Sequence, residues 1–371
     1  MAIWKIDELG EFVTLKRGYD LPQQKRKNGE IPIFSSSGVT GTHNEAMVEA
    51  PGVITGRYGT IGEVFFAETS FWPLNTTLYV ENFHENDEKF VYYFLKTLEW
   101  KKFASASAVP GINRNTVHKE IVRFPDFETQ QKIASVLSTI DKKIAVNKAI
   151  NDNLEQQAAT YFQELFINNA NPMWQISTIS DLGTVVGGST PSKNKPKYYT
   201  NNGIAWITPK DLSINKSKFI SHGENDITEL GLKNSSATVM PKGTVLFSSR
   251  APIGYIAIAS NEVTTNQGFK SVIPYSEIGT AFVYFFLKHS LPVIESAASG
   301  STFKEISGSA MKNIPAIIPD RNTLDQFNSF CAPIFAQQKI LEEQNHSLAM
   351  LRDSLLPKLM SGAIDIASIQ L

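Results

Sequence analysis

From Ile133 onward, side chains of one kind recur at alternating steps of four and three. The series runs Ile133, Leu137, Ile140, Ile144, Asn147, Asn151, Leu154, Ala158, Tyr161 and Leu165. This is the spacing of a coiled-coil seam, and neither Pro nor Gly interrupts it between residues 127 and 168. A helix of that length runs roughly 45–60 Å at about 1.5 Å per residue, longer than a compact domain needs for its own core. A second seam follows from Phe327: Phe327, Phe330, Ile334, Gln337, Leu341, Gln344, Leu348, Leu351 and Leu355. Each seam is apolar at both ends and polar in the middle. Antiparallel pairing would bring Asn147 and Asn151 to the region of Gln337, a polar layer that fixes register at a cost in stability; the alternative is that these residues face water.

The large segments before the two helices repeat one plan. Trp4 to Val13 matches Trp174 to Val186, with Leu9-Gly10 set against Leu182-Gly183. Ile31–Phe34 matches Ile204–Ile207, and Pro51–Ala67 resembles Lys242–Ala259, each with two β-rich runs around a turn that carries one Arg. Asn75–Leu78 pairs with Asn266–Phe269, and Val91–Leu95 with Val283–Leu287 as the apolar face of a short helix. The blocks keep their order, which chance similarity among apolar strands would not do. The predicted fold class is α/β (α+β), with two tandem globular domains related by an approximate twofold axis and separated by two long antiparallel coiled-coil helices. The expected bounds are a first globular domain over 1–125, a first helix over 126–168, a second globular domain over 173–319 and a second helix over 320–361. The polar stretch Asn168–Pro172 links the halves.

Composition narrows the function. At 371 residues, 42% hydrophobic and 19% charged, the chain is ordinary globular protein with room for two domains. No apolar run is long enough to span a bilayer and the N-terminus lacks a signal pattern, so the expectation is a cytoplasmic protein without membrane contact. The single Cys331 cannot form an internal disulfide and reads as a small buried hydrophobe. Phosphate-binding loops, GxGxxG, HExxH, GxSxG and cysteine clusters are absent, and the six His residues are scattered. Asn171-Pro-Met-Trp174 has part of the motif with which adenine methyltransferases hold a flipped base, but lacks the second Pro and fits a linker better. The chain therefore reads as non-enzymatic, with no catalytic residue, no metal site and no cofactor of its own.

What remains is a set of polar loops between strands. In the first half these hold Ser35, Ser36, Ser37, Arg57, Tyr58, Asn75, Thr76, Thr77 and Arg114; in the second, Thr208, Lys210, Asp211, Ser248, Ser249, Arg250, Asn266, Gln267, Thr302 and Lys304. Arg forks onto guanine edges or phosphates, Asn and Gln pair with adenine, and hydroxyls and backbone N–H groups take phosphate oxygens. Such turns are also common connectors. Arg57 and Arg250 fall in equivalent turns, with a structural ion pair as the competing role for each. The net charge of −1 is low for a DNA binder. Residues 174–320 carry 13 Lys and Arg against 10 Asp and Glu, whereas residues 1–125 carry 14 against 15. With so little phosphate neutralisation available, binding to double-stranded DNA calls for a partner that brings more positive charge.

The duplicated layout, the helix lead-in Pro125-Asp-Phe-Glu-Thr-Gln-Gln-Lys-Ile133 and the terminal Leu355-Leu-Pro-Lys-Leu-Met-Ser-Gly362 resemble the specificity subunit of type I restriction-modification systems. The likeness covers essentially the whole chain; the second lead-in, Pro319 to Gln326, departs from the Gln-Gln form. The resemblance implies two target-recognition domains, each reading one half of a bipartite, non-palindromic DNA target. It implies helices that set the spacing and dock two modification (methyltransferase) subunits, with restriction (helicase-nuclease) subunits joining them. S-adenosylmethionine, ATP and Mg would then act on those partners. The rival readings are a coiled-coil protein-interaction scaffold without DNA binding and, with less support, a stand-alone DNA methyltransferase.

Overall fold

The computed structural model describes residues 3–105, 110–300 and 304–366. The chain forms two compact units, Met1–Ala145 with His346–Leu371 and Val146–Asn345, so each long helix contributes one part to each unit.

In the first unit a four-stranded antiparallel sheet runs in the order Thr14–Arg17, Thr77–Asn82, Gly52–Gly56, Val64–Ala67. Every residue of Gly52–Gly56 is buried. Val53 faces a core that includes Phe90, Phe94 and Phe124, and Ile54 faces a second cluster with Phe34, Phe71 and Tyr79. The helix Glu88–Thr97 supplies the first of these cores, and the Asp87 carboxylate caps it by accepting from the Phe90 N–H at 2.7 Å. A separate ribbon pairs Trp4–Glu8 with Ile121–Pro125. The start of the first long helix is pinned by Gln130. Its Nε2 donates to the Pro125 carbonyl at 2.9 Å and to Asn86 at 2.7 Å, and its Oε1 accepts from the Asp87 N–H at 2.9 Å. Ile133, Leu137, Leu359, Met360 and Ile366 complete the same core.

The second unit repeats the plan. Its five-stranded sheet runs Gly183–Gly187, Lys270–Pro274, Val245–Ser249, Ile253–Ala259, Phe219–Ile220, the first four strands in the same relative order as their counterparts. The apolar helix Thr280–His289 packs Phe282, Phe285 and Phe286 with Phe162, Phe166 and Phe327 of the long helices. The α/β class and the internal duplication are thus present as the sequence predicts.

The long helices span Phe127–Gln163, continued by a π-helical turn over Glu164–Asn168, and Arg321–Met360. On the first, Ile133, Leu137, Ile140, Ile144, Asn147 and Ala158 are buried and Leu154 and Leu165 half-buried, with Phe162 and Phe166 turned into the second core. On the second helix the seam departs from expectation at alternate positions. Phe327, Ile334 and Leu341 are buried and Leu348 and Leu355 half-buried, but Phe330 and Leu351 are 39% and 47% exposed, Phe330 still packing its ring 4.6 Å from that of Tyr161 on the first helix. Cys331 and Gln338 hold the inner positions instead, followed by Asn345 and Arg352. The steps after each anchor are therefore four then three, not three then four. Asn147 donates to Asn345 at 3.0 Å and Gln338 donates to the Asn151 carbonyl at 3.1 Å, so the polar layer forms one residue on from Gln337. Cys331 is fully buried, which pushes its thiol up to about 12.

Candidate nucleic-acid interface

In the first unit the strand Gly52–Gly56 delivers Arg57 and Tyr58 to a cluster of loops. Both backbone N–H groups donate to the Thr76 carbonyl, at 2.9 and 3.2 Å. Arg57 and Ile112 exchange bonds: the Ile112 N–H donates to the Arg57 carbonyl, and Arg57 Nε donates to the Ile112 carbonyl, each at 3.1 Å. The Arg57 guanidinium also lies 4.5 Å from the Tyr58 ring centre. Tyr58 packs so closely on Gly111 that a Cβ there would stand 2.1 Å from its ring, which is why glycine occupies that turn. The hairpin Ser35–Ser37 closes on itself through a Ser35–Ser37 hydroxyl contact of 3.0 Å, and Ser36 lies beside Gly56 and Gly59. Asn75 donates its side-chain amide to Asp20 and its backbone N–H to Tyr19.

Not every expected residue presents its side chain here. Thr77 is fully buried and its hydroxyl donates to the Leu74 carbonyl, a turn-closing role. The Thr76 hydroxyl is buried without a partner among the described residues. Arg114 is exposed but reaches back to the Leu15 carbonyl at 3.4 Å.

The second unit gathers the corresponding loops. The Ser249 N–H donates to Gly268 at 2.7 Å, the Ile306 N–H to Ser249 at 3.1 Å, and the Asn266 N–H to Ile207 at 3.0 Å. Ser248 and Ser249 are fully buried; the Ser248 hydroxyl bonds Pro252 and Tyr255, so neither side chain faces outward. Thr208 and Asp211 form a capping box on the helix Pro209–Ile214, and Asp211, 9% exposed, also accepts from the Glu224 N–H. These two side chains build the fold. Asn266 closes a turn by accepting from the Gly268 N–H at 2.8 Å, and Gln267, exposed, accepts from Thr190. Lys210 is exposed beside Glu224 at 2.6 Å, which raises its pKa. Lys304 is exposed, and Thr302 lies outside the described residues.

The two Arg turns are equivalent, but the arginines are one residue out of step. Ile112 bonds the carbonyl of Arg57, whereas Ile306 bonds that of Ser249. The cross-strand pair Tyr58 with Gly111 therefore corresponds to Arg250 with Glu305. Burial agrees: Val53 and Val245 both face the helix-side cores, and Ile54 and Leu246 both face the smaller clusters. Because strand side chains alternate between faces, a one-residue offset separates the roles of Arg57 and Arg250. Arg250 Nη1 meets Glu305 at 3.3 Å, and Lys270 approaches the same carboxylate at 3.6 Å. Neither Glu305 nor Lys270 belongs to a loop pattern that marks it in the sequence. Among the described residues no group of three or more His, Cys, Asp and Glu could hold a metal ion, and no helix is long and apolar enough to cross a membrane.

Two α/β units with one strand order, each carrying a polar loop cluster and a share of two long helices, define an internally duplicated protein. The family model for the type I restriction modification DNA specificity domain matches residues 1–156 and 171–345, and the chain belongs to that family. It is 43% identical over 162 residues to the specificity subunit of the type I restriction enzyme MjaIX from Methanocaldococcus jannaschii, a match covering 43% of this chain and 37% of that relative. It is 24% identical over 347 residues to the HindI specificity subunit of Haemophilus influenzae, covering 72% of this chain and 75% of the relative. The crystal structure of a type I restriction-modification S subunit from M. genitalium shares the fold with a TM-score of 0.65 at 17% identity, over 96% of each chain.

Proposed function

We propose that this chain is the DNA sequence-recognition subunit of a type I restriction-modification complex. Residues 1–125 and 173–319 act as two target-recognition domains, each reading one half of a bipartite, non-palindromic target in double-stranded DNA. The helical segments 126–168 and 320–361 serve as the spacer and dock two modification subunits, which restriction subunits join. Adenine methylation from S-adenosylmethionine and ATP- and Mg-dependent cleavage then belong to those partners, in the cytoplasm.

The observation that carries this reading is the convergence of equivalent loops in both units with different side chains on them. Tyr58 and Gly111 stand in one unit where Arg250 and Glu305 stand in the other. One scaffold with two sets of contact groups suits the reading of two unlike half-sites. The near-zero net charge of −1 accords with a reader whose phosphate grip comes largely from its partners. A gel-shift of the chain assembled with modification subunits tests it. Arg250→Ala weakens binding to the cognate duplex about tenfold, the scale of one lost base contact. Scrambling the second half-site removes the difference between the two proteins. Equal binding by wild type and variant on the cognate duplex contradicts the assignment.

A further inference from the structure

Glu305 has no counterpart in the first unit, where the same cross-strand position is Gly111. Its carboxylate sits between two cations, with one oxygen 3.3 Å from Arg250 Nη1 and the other 3.6 Å from Lys270 Nζ. The Glu305 backbone is itself fixed. It exchanges N–H and carbonyl bonds with Ser299 at 2.9 and 3.1 Å, and the following Ile306 N–H is held by Ser249. The side chains of Arg250 and Glu305 are 39% and 38% exposed, and an ion pair that open to water contributes little to stability. Stability therefore does not account for the Arg250 contact, although the same carboxylate also serves Lys270, whose side chain is only 16% exposed. Among the described residues only Nη1 of the Arg250 fork has a partner, which leaves its other N–H groups to meet a ligand. A carboxylate bonded to one terminal nitrogen of a guanidinium biases the direction of the rest, and an aimed fork is what bidentate reading of guanine O6 and N7 requires.

We propose that Glu305 is a positioning residue that aims Arg250 at one base pair of the second half-site. This rests on the recognition role proposed above. Lys270 balances the same carboxylate, so the trio keeps a net positive charge toward the duplex. Without Glu305 the fork rotates, keeps its attraction to phosphate and loses its preference among bases.

The test uses the chain assembled with modification subunits and maps methylated sequences by long-read sequencing. Glu305→Gln relaxes discrimination about tenfold at one base pair of the second half-site and leaves the first half-site unchanged. Glu305→Asp, which keeps the charge on a shorter arm, recovers part of that discrimination. In an Arg250→Ala background, Glu305→Gln adds nothing further. Wild-type discrimination in Glu305→Gln, or a loss of the same size when Arg250 is already absent, overturns the positioning role while leaving the recognition role standing. A wild-type complex with no bipartite motif overturns both. If Glu305→Gln fails to assemble, Glu305→Asp decides the matter, since full discrimination by that variant contradicts the proposal.

Discussion

Lys218 shows how much of the second unit hangs on single side chains. It is 7% exposed, and its ammonium group lies 4.1, 4.7 and 5.4 Å from the ring centres of Phe335, Tyr284 and Phe285. Glu155 on the first long helix pairs with it, Gln338 on the second accepts from it at 2.6 Å, and Lys288 supports Glu155 at 2.5 Å. The Lys218 and Phe219 N–H groups donate to Glu342 at 2.8 and 3.1 Å, so one short strand is tied to both helices. Burial pushes the Glu155 carboxyl up, but the Lys218 and Lys288 charges outweigh it and hold the pKa below the ordinary 4.5. Its stabilisation is therefore present above pH 4.5 and lost as pH falls through the folded value. Burial lowers the Lys218 pKa despite its partners, so Glu155→Gln, which leaves only the Glu342 charge to support that ammonium, should cost up to about 3–5 kcal/mol at neutral pH. That deficit should shrink below pH 4.5, where the wild type loses the same interaction. Glu342, whose pKa burial raises and the Glu155 charge raises further, is present in both proteins but is raised less in the variant, where that charge is gone. Urea titrations across the acid range check this, and a deficit that stays constant with pH contradicts it. The sequence marks none of these residues, because the cluster joins positions far apart in the chain that carry no shared motif.

The long helices were legible as elements, and their anchors were legible as residues. Phe327, Ile334, Leu341, Leu348 and Leu355 recur every seven residues and all lie on the inner side. The alternate seam positions were not, because Phe330 and Leu351 are apolar and draw the pattern one residue short. The inner positions belong to Cys331, Gln338, Asn345 and Arg352, and the three polar ones each meet a specific neighbour: Gln338 meets Lys218 and Asn151, Asn345 meets Asn147, and Arg352 meets Asp141 at 2.7 Å. A hydrophobic period cannot register such pairs, since it counts methylenes and not partners. The phase is testable by paired truncations. Leu359→Ala, at a site 1% exposed, should cost about 2–5 kcal/mol, whereas Leu351→Ala should cost less than about 1 kcal/mol. Equal losses in chemical denaturation would mean that the seam runs through Leu351 after all.

At the scale of the whole molecule, the duplication was the most legible feature, because strand order and apolar blocks survive divergence that erases individual identities. Within the loops residue type does not fix residue role. Thr77, Thr208, Asp211, Ser248 and Ser249 have the chemistry of DNA contacts but close turns, cap a helix or fill the core, since the same hydroxyls and carboxylates satisfy backbone N–H groups. Conversely, Glu305 has the wrong charge for a duplex and becomes visible only beside Arg250. The central claim is that the two units read separate halves of one DNA target. It is tested most directly by replacing residues 1–125 with the matching segment of a divergent family member and sequencing the methylated bases in cells that carry the complex. One half of the methylated motif should change and the other stay as it was; a motif altered in both halves, or in neither, would contradict separate reading by the two units.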